Sequence, residues 1–228
     1  MGELKIYQAL ILLALCEEKG TMNASYVGYA VASALLTELL MLEKIQVDPT
    51  EEKPKKAKVE VIDFSPTGDA ILDEALDKIH NAKRQATLRD WVSKLAGIKD
   101  LNHKVAKTLA ADNILKAEKE QILWLFTRRI YPEINPEPEQ RLRHELRRLV
   151  LDKPLEIDPR IVVTLSLARA AHLLPQVFSK AELKANKEKI DAIANGEGIG
   201  KITKEVIEGI QVAVMMAAIM PAITVTTT

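Results

Sequence analysis

Along most of this chain apolar residues return at intervals of three and four, the spacing of one buried face of an α-helix, and only two stretches switch to short strand-like runs. The first helix is predicted from about Leu4 to Glu18, closing at Gly20, whose freedom at positive φ suits a helix C-terminus. A second follows, with Asn23 or Ser25 as cap and Val27, Val31, Leu35, Leu39 and Leu42 as its buried stripe. Ile45 to Val47 and Val59 to Phe64 read as two strands, joined by a charged, proline-bearing loop over Pro49 to Lys58. The turn Ser65-Pro66-Thr67-Gly68-Asp69 then opens a helix reaching about Ala82.

The second half repeats this arrangement and then continues as helix. Thr87 to Leu95 and Lys99 to Ala111 are predicted helices, and a second hairpin is expected with strands at Ile114-Leu115 and Ile122 to Phe126 around a polar Lys116 to Gln121. Helices over Pro136 to Leu151, Asp158 to Leu174, Ser179 to Ala194 and Thr203 to Met220 complete the chain. Asp158-Pro159 supplies a cap with proline in the first turn, Ser179 and Glu182 have capping-box spacing, and Gly196 closes that helix. The expected fold is mainly α, a compact helical domain around a central helix bundle with two short β-hairpins, as a single domain over residues 1–228.

Composition narrows the function more than the fold. The 32 basic and 32 acidic side chains cancel, so no global field gathers nucleic acid, and any anion site must be local. The one cysteine, Cys16, sits beside Leu12 to Leu15 and reads as a buried thiol of a reducing, cytoplasmic compartment. Ala9 to Leu15 is apolar, but Glu17 and Glu18 follow at once and no signal-peptide cleavage site appears. Ile210 to Ile223 is about 14 residues, short of the roughly 20 that a spanning helix needs.

Candidate chemistry is sparse. Asp69, Asp73 and Glu74 fall in or beside the first turn of a helix, where carboxylates complement the partial positive charge of its N-terminus. Glu38, among apolar neighbours, lacks a companion nucleophile and reads as an edge or pairing residue rather than a general base. His80, His103, His144 and His172 have no ligand spacing, so neither a metal nor a cofactor is expected. Gly196, Gly198 and Gly200 follow a helix rather than a strand, which argues against a dinucleotide loop. No serine elbow or cysteine nucleophile stands out, and the chain reads as a non-enzyme. The stripe Leu142, Leu146, Leu149 and Val150 is flanked by Arg141, Arg143, His144, Arg147 and Arg148. That pattern suits a core-packed helix with a solvated basic face, or an interfacial helix on an anionic membrane.

The run Ser65-Pro66-Thr67-Gly68-Asp69-Ala70-Ile71-Leu72-Asp73-Glu74-Ala75-Leu76 resembles the signature of the Golgi phosphoprotein 3 family. Leu12-Leu13-Ala14-Leu15, Thr37-Glu38-Leu39 before Lys44-Ile45-Gln46, Trp91-Val92 with Leu95, and Val105-Ala106-Lys107 with Leu109 extend the similarity from Leu4 to about Ala218. The resemblance implies a peripheral protein on the cytosolic face of a membrane that recognises phosphatidylinositol 4-phosphate, and acts as adaptor or scaffold. In the family's lipid pocket a Trp stands in the loop after the first helix, where Tyr26 is the available aromatic here. An Arg falls on Ala32, and two arginines spaced by three fall on Lys99 and Asn102. With Lys104 nearby, the headgroup residues implied are Tyr26, Lys99, Asn102 and Lys104, with general anionic-lipid binding expected rather than strong phosphoinositide selectivity.

The family's apolar hairpin, linked to membrane contact and self-association, corresponds to Trp124, Leu125 and Phe126 with Arg128 and Arg129. Ile122 to Phe126 lacks strict alternation, so its residues are covered by the core, by lipid or by a second copy in a homo-oligomer. The coat-binding basic tail of the eukaryotic members has no counterpart before Leu4, and a minimal prokaryotic-type relative without coat partners is expected. Two alternatives remain: a winged-helix-like nucleic-acid-binding regulator, since helix followed by hairpin occurs twice, and a purely structural homo-oligomer. Neutral net charge weighs against nucleic acid as a partner.

Overall fold

The computed structural model describes residues 4–15, 20–22, 26–48, 51, 56–122, 126–152 and 158–196. The fold is mainly α with two small antiparallel hairpins, and its buried apolar side chains form one cluster. At its centre lies α2 (Val27–Met41), which packs against α1 (Ile6–Ala14), α3 (Ala70–His80), α4 (Leu88–Ala96), α5 (Leu101–Ala111) and α7 (Pro159–Ala170). Its sequence explains the position. Small Ala30, Ala32, Ser33 and Ala34 precede Leu35, Leu36, Leu39 and Leu40, and its one charged residue, Glu38, is buried, so no charged face holds it at the surface. The expected single stripe is therefore corrected: α2 is buried on nearly every side, while Leu42 at its C-cap is exposed. Its N-cap is Tyr26, without a side-chain cap, and Asn23 and Ser25 lie outside the described residues.

The first helix is as buried as the second, and ends at Leu15 rather than running to Glu18. Gly20 therefore does not close this helix, whose C-cap is Leu15, and has another role. It holds φ +57, its carbonyl accepts from Tyr131 N at 2.7 Å, and a Cβ there would meet Pro132 N at 2.5 Å. Glycine is required both for the backbone conformation and for the close passage of the Tyr131–Pro132 segment.

The first hairpin pairs β1 (Ile45–Val47) with β2 (Val59–Val61) in the register Ile45 to Val61, so β2 stops short of the expected Phe64. Asp69 caps α3 by accepting from Ile71 N and Leu72 N, and Asp73 accepts from Thr67 N and Oγ1, both at 2.7 Å. The Pro-Thr-Gly-Asp turn is thus a capping structure. A second capping device, Thr87 with Asp90, starts α4.

The second hairpin is shifted from expectation. Its strands are β3 (Glu118–Ile122) and β4 (Phe126–Ile130), so residues expected in the turn form a strand. Cross-strand charge supplies what apolar alternation does not: Glu120 faces Arg128 and pairs with it. Ile114 and Leu115 are core residues instead, with Leu115 bridged to Glu133. Trp124 and Leu125 lie outside the described residues, as does the side chain of Phe126, so the expected apolar tip carries no structural statement.

In the second half, α6 (Glu137–Leu151) buries Leu142, Leu146, Leu149 and Val150. Its arginines are engaged within the protein: Arg143 with Glu139, Arg147 with Glu182, Arg148 with Glu145 and Arg141 with Glu137. The interfacial-helix alternative is overturned, because the apolar stripe belongs to the core and the cations already have carboxylate partners. The helix expected to reach Leu174 ends at Ala170, and after His172 at φ 58 the chain makes a short 3-10 turn over Leu174–Gln176. The next expected helix is two, α8 (Lys180–Ala185) and α9 (Lys187–Ala194), broken at Asn186. The expected helix Thr203 to Met220 and Cys16 lie outside the described residues.

Candidate functional site

A cavity of about 550 Å³ lies where the segment Thr21–Met22, Gly28 of α2, the start of α5 and strand β4 converge. Asn102, His103, Arg128 and Arg129 line it. The sequence placed Asn102 in a headgroup site and the two arginines in a membrane hairpin, but the fold brings all three to one concavity. Proximity arises because β4 leads into Tyr131, tied back to Gly20, while His103 Nδ1 lies 3.1 Å from the Tyr131 hydroxyl.

The lining carries two arginines and one carboxylate, Asp100, and Arg128 also pairs with Glu120 of β3, so an anion here would share these cations with carboxylates. Asp100 precedes α5 with φ 57 and gives no side-chain cap to the helix, so the amides of its first turn lack the acceptor that a β-region Asp would supply. The Asp100 carboxylate pairs instead with Arg129 at 3.1 Å, and that contact holds its pKa below the usual carboxylate range. His103 is held below its usual pKa, first by burial and then by Arg129 and Lys107, with Asp100 opposing. Asn102 Oδ1 is buried without a hydrogen-bond partner among the described residues. Helix amides and two guanidinium groups can take phosphate oxygens, while the unpartnered carbonyl oxygen can accept from a hydroxyl.

The other sequence candidates lie apart from this lining. Lys104 is on α5 but pairs with Glu74 of α3 at 2.5 Å. Lys99 is an exposed residue of the turn before α5 and does not line the cavity. Tyr26 packs at the start of α2 with its ring tilted against His172, centroids 6.1 Å apart. His103 was missed by sequence reading, since a lone histidine has no motif; the start of this helix was expected as an anion site, but the left-handed Asp100 that leaves it without a side-chain cap has no sequence signature.

A third relationship places Glu38 more firmly than the sequence did. It is 1% exposed, accepts from Ile6 N at 2.8 Å and from Arg160 Nη1 at 2.8 and 3.0 Å. This makes it a buried pairing residue that satisfies the first free amide of α1. Arg160 borders a cavity of about 560 Å³ with Lys5 and Arg141, and each of these cations has a carboxylate partner: Glu38, Asp69 and Glu137 respectively. Among the described residues no cluster of His, Cys, Asp or Glu is arranged to hold a metal ion, and no helix is long and apolar enough to cross a membrane.

Comparison with known proteins agrees with the turn signature. A relative from Eremothecium gossypii, vacuolar protein sorting-associated protein 74, is 23% identical over 171 residues, covering 68% of this chain and 51% of the relative. The chain thus spans about half the length of that curated relative. The model of the family described as Golgi phosphoprotein 3 (GPP34) matches residues 6–210, and this chain belongs to the Golgi phosphoprotein 3 family.

Proposed function

We propose that this protein is a peripheral membrane protein that binds anionic lipid headgroups through the cavity at the start of α5, and serves as an adaptor or scaffold without catalysing a reaction. The observation that carries this reading is the convergence of Arg128 and Arg129 on the start of α5, which has no side-chain cap, next to the Asn102 carbonyl oxygen, which has no partner among the described residues. A phosphorylated polyol presents the matching chemistry, phosphate oxygens beside hydroxyl donors. Phosphatidylinositol 4-phosphate is the headgroup implied by family resemblance. The arginines come from a strand rather than from the family's positions, so charge recognition without strong selectivity among equally charged lipids is the expected behaviour. Lys99 and Lys104 add positive charge near the same helix. Trp124 and Leu125, with Phe126, belong to the proposal as membrane- or partner-contacting residues, acting on the cytosolic face of the membrane.

Flotation with vesicles of phosphatidylcholine alone, with phosphatidylserine, and with phosphatidylinositol 4-phosphate at matched surface charge tests this. Binding to both anionic compositions, weakened by Arg128→Ala with Arg129→Ala, is the expected result. Retention of duplex DNA at the same salt with no vesicle binding would overturn it in favour of a nucleic-acid-binding regulator.

A further inference from the structure

A different concavity among the described residues is lined by charge of one sign. The C-terminal end of α3, the segment after it and α4 border an open, shallow concavity of about 450 Å³ lined by Lys78, Ala82, Lys83, Arg84, Trp91 and Lys94. Four of these six residues are cations, and the lining contains no carboxylate. None of the four has an ion-pair partner among the described residues, unlike Arg128 and Arg129 in the first cavity and Lys5, Arg141 and Arg160 in the other. Nearby carboxylates are engaged elsewhere. Asp77 accepts from Asn81 at 2.8 Å, Glu60 accepts from Gln46 and Gln85 at 3.2 Å, and Asp90 closes the capping box with Thr87. Gathering four like charges without a counter-charge opposes folding through mutual repulsion, which a bound anion relieves.

The second observation is independent of charge. Trp91 is 3% exposed, lines this cavity and the adjoining one by Val59 and His80, and its Nε1–H is buried with no acceptor among the described residues. Tryptophan buried in a core finds an acceptor for that proton as a rule, because an unmet buried donor is costly. Lys94 lies over the same ring, its ammonium 4.4 Å from the centroid. This contact leaves the lysine beside the indole instead of beside a carboxylate. Trp91, whose indole proton lacks an acceptor among the described residues, shares this lining with four cations, while the adjoining cavity it also lines holds Glu60; a ligand rich in acceptor oxygens and negative charge complements the cationic side.

We infer that this cavity is a second anion site, separate from the one at the start of α5, that takes a phosphate-bearing ligand of more than one negative charge. Lys78, Lys83, Arg84 and Lys94 supply the charge, and Trp91 Nε1 donates a hydrogen bond to one oxygen once the flexible lysine side chains give way. A concave space of about 450 Å³ suits a single phosphorylated group. Its source is either a soluble phosphate compound or the phosphomonoester headgroup of a lipid. The site does not depend on the function proposed above, because none of its residues lines the α5 cavity.

The test follows the indole proton. The chain has two tryptophans, so a nitrogen-15 correlation spectrum shows two indole signals, and Trp124→Phe identifies the one from Trp91. Titration of the full chain with inorganic pyrophosphate at low salt is expected to move the Trp91 signal saturably. Lys83→Glu with Arg84→Glu, both exposed positions, should weaken that titration about tenfold or more, whereas Arg128→Ala with Arg129→Ala should leave it unchanged. Phosphatidylcholine vesicles with and without phosphatidic acid then separate the sources: a shift with pyrophosphate alone assigns a soluble ligand, and additional vesicle binding sensitive to the same reversal assigns a lipid. An unmoved Trp91 signal, or a titration untouched by Lys83→Glu with Arg84→Glu in a protein that keeps its melting temperature, overturns the inference. If the charge-reversed protein unfolds, Lys83→Gln with Arg84→Gln replaces it under the same criteria.

Discussion

Glu38 of α2 and Arg160 of α7, 122 residues apart, are joined by two hydrogen bonds inside the helical core, and the same carboxylate accepts the first amide of α1. One side chain therefore fixes the mutual positions of three helices. Removing it leaves a half-buried guanidinium without its counter-charge and the Ile6 amide without an acceptor. Glu38→Leu is expected to cost about 3–5 kcal/mol in chemical denaturation. Glu38→Leu with Arg160→Met should recover about 2 kcal/mol of that loss, leaving about 1–3 kcal/mol for the unmet amide. A double variant as unstable as the single one would show that the pair is not the source of the effect.

Asp69 links the family turn to the first helix. Burial raises its pKa, but hydrogen bonds from Lys5, Tyr7 and the Leu72 amide prevail and hold it below the ordinary carboxylate range. Because the folded pKa is depressed, this stabilisation is present above the unfolded value of about 3.9 and is lost as pH falls through the folded one. In Asp69→Asn the amide nitrogen faces the ammonium of Lys5 and the hydroxyl of Tyr7 in place of an acceptor. The variant is expected to lose about 2 kcal/mol at pH 7, with the difference from wild type shrinking as unfolding is measured toward pH 3.

Gly20→Ala combines a left-handed backbone with a Cβ 2.5 Å from Pro132 N. A loss of about 2 kcal/mol or more in thermal or chemical unfolding is expected, since neither the strain nor the contact is relieved by moving a flexible side chain. Gly68→Ala is the useful comparison. Its φ of +80 carries the backbone strain, but no atom lies within 4 Å of the added Cβ, so its cost should be smaller, about 1 kcal/mol.

At the α5 cavity, Arg128→Ala with Arg129→Ala should reduce affinity for anionic vesicles about tenfold or more and flatten its dependence on salt. Lys99→Glu with Lys104→Glu should weaken the same binding through the wider field. His103 faces Asp100 and Lys107 on its own helix and Arg129 and Tyr131 across the cavity. Its lowered pKa leaves it neutral at pH 7, so protonation adds a positive charge only as pH falls. Vesicles bearing phosphatidylglycerol should be bound more tightly by wild type only as pH is lowered below the ordinary imidazole range, and His103→Gln should lose that increase.

Trp124→Ser with Phe126→Ser tests the apolar run of the second hairpin. Vesicle binding or self-association is expected to fall more than the melting temperature does. Unfolding of the variant, or unchanged partition and mass, would mean that the run is core.

Local information determined much of this protein. Alternation at intervals of three and four marked the helices, because burying one face imposes that period wherever the helix lies at a surface. The turn Pro66-Thr67-Gly68-Asp69 was legible because its capping bonds close within a few residues. The family signature rested on the same residues, and its match over residues 6–210 agrees with it. Tertiary structure decided what depends on residues distant in the chain. The burial of α2 on nearly every side, the exposure of Leu42 and the pairing of Glu38 with Arg160 come from the helices packed around one segment, which its own period does not reveal. The second hairpin takes the register that sets Glu120 against Arg128 and Ile122 against Phe126, a cross-strand pairing that local apolar alternation does not reveal. The meeting of Asn102 with Arg128 and Arg129 needed both the left-handed Asp100 and the anchoring of Tyr131 to Gly20. A site assembled from a helix start and a strand has no contiguous signature, because the physical quantity that unites its residues is distance in space.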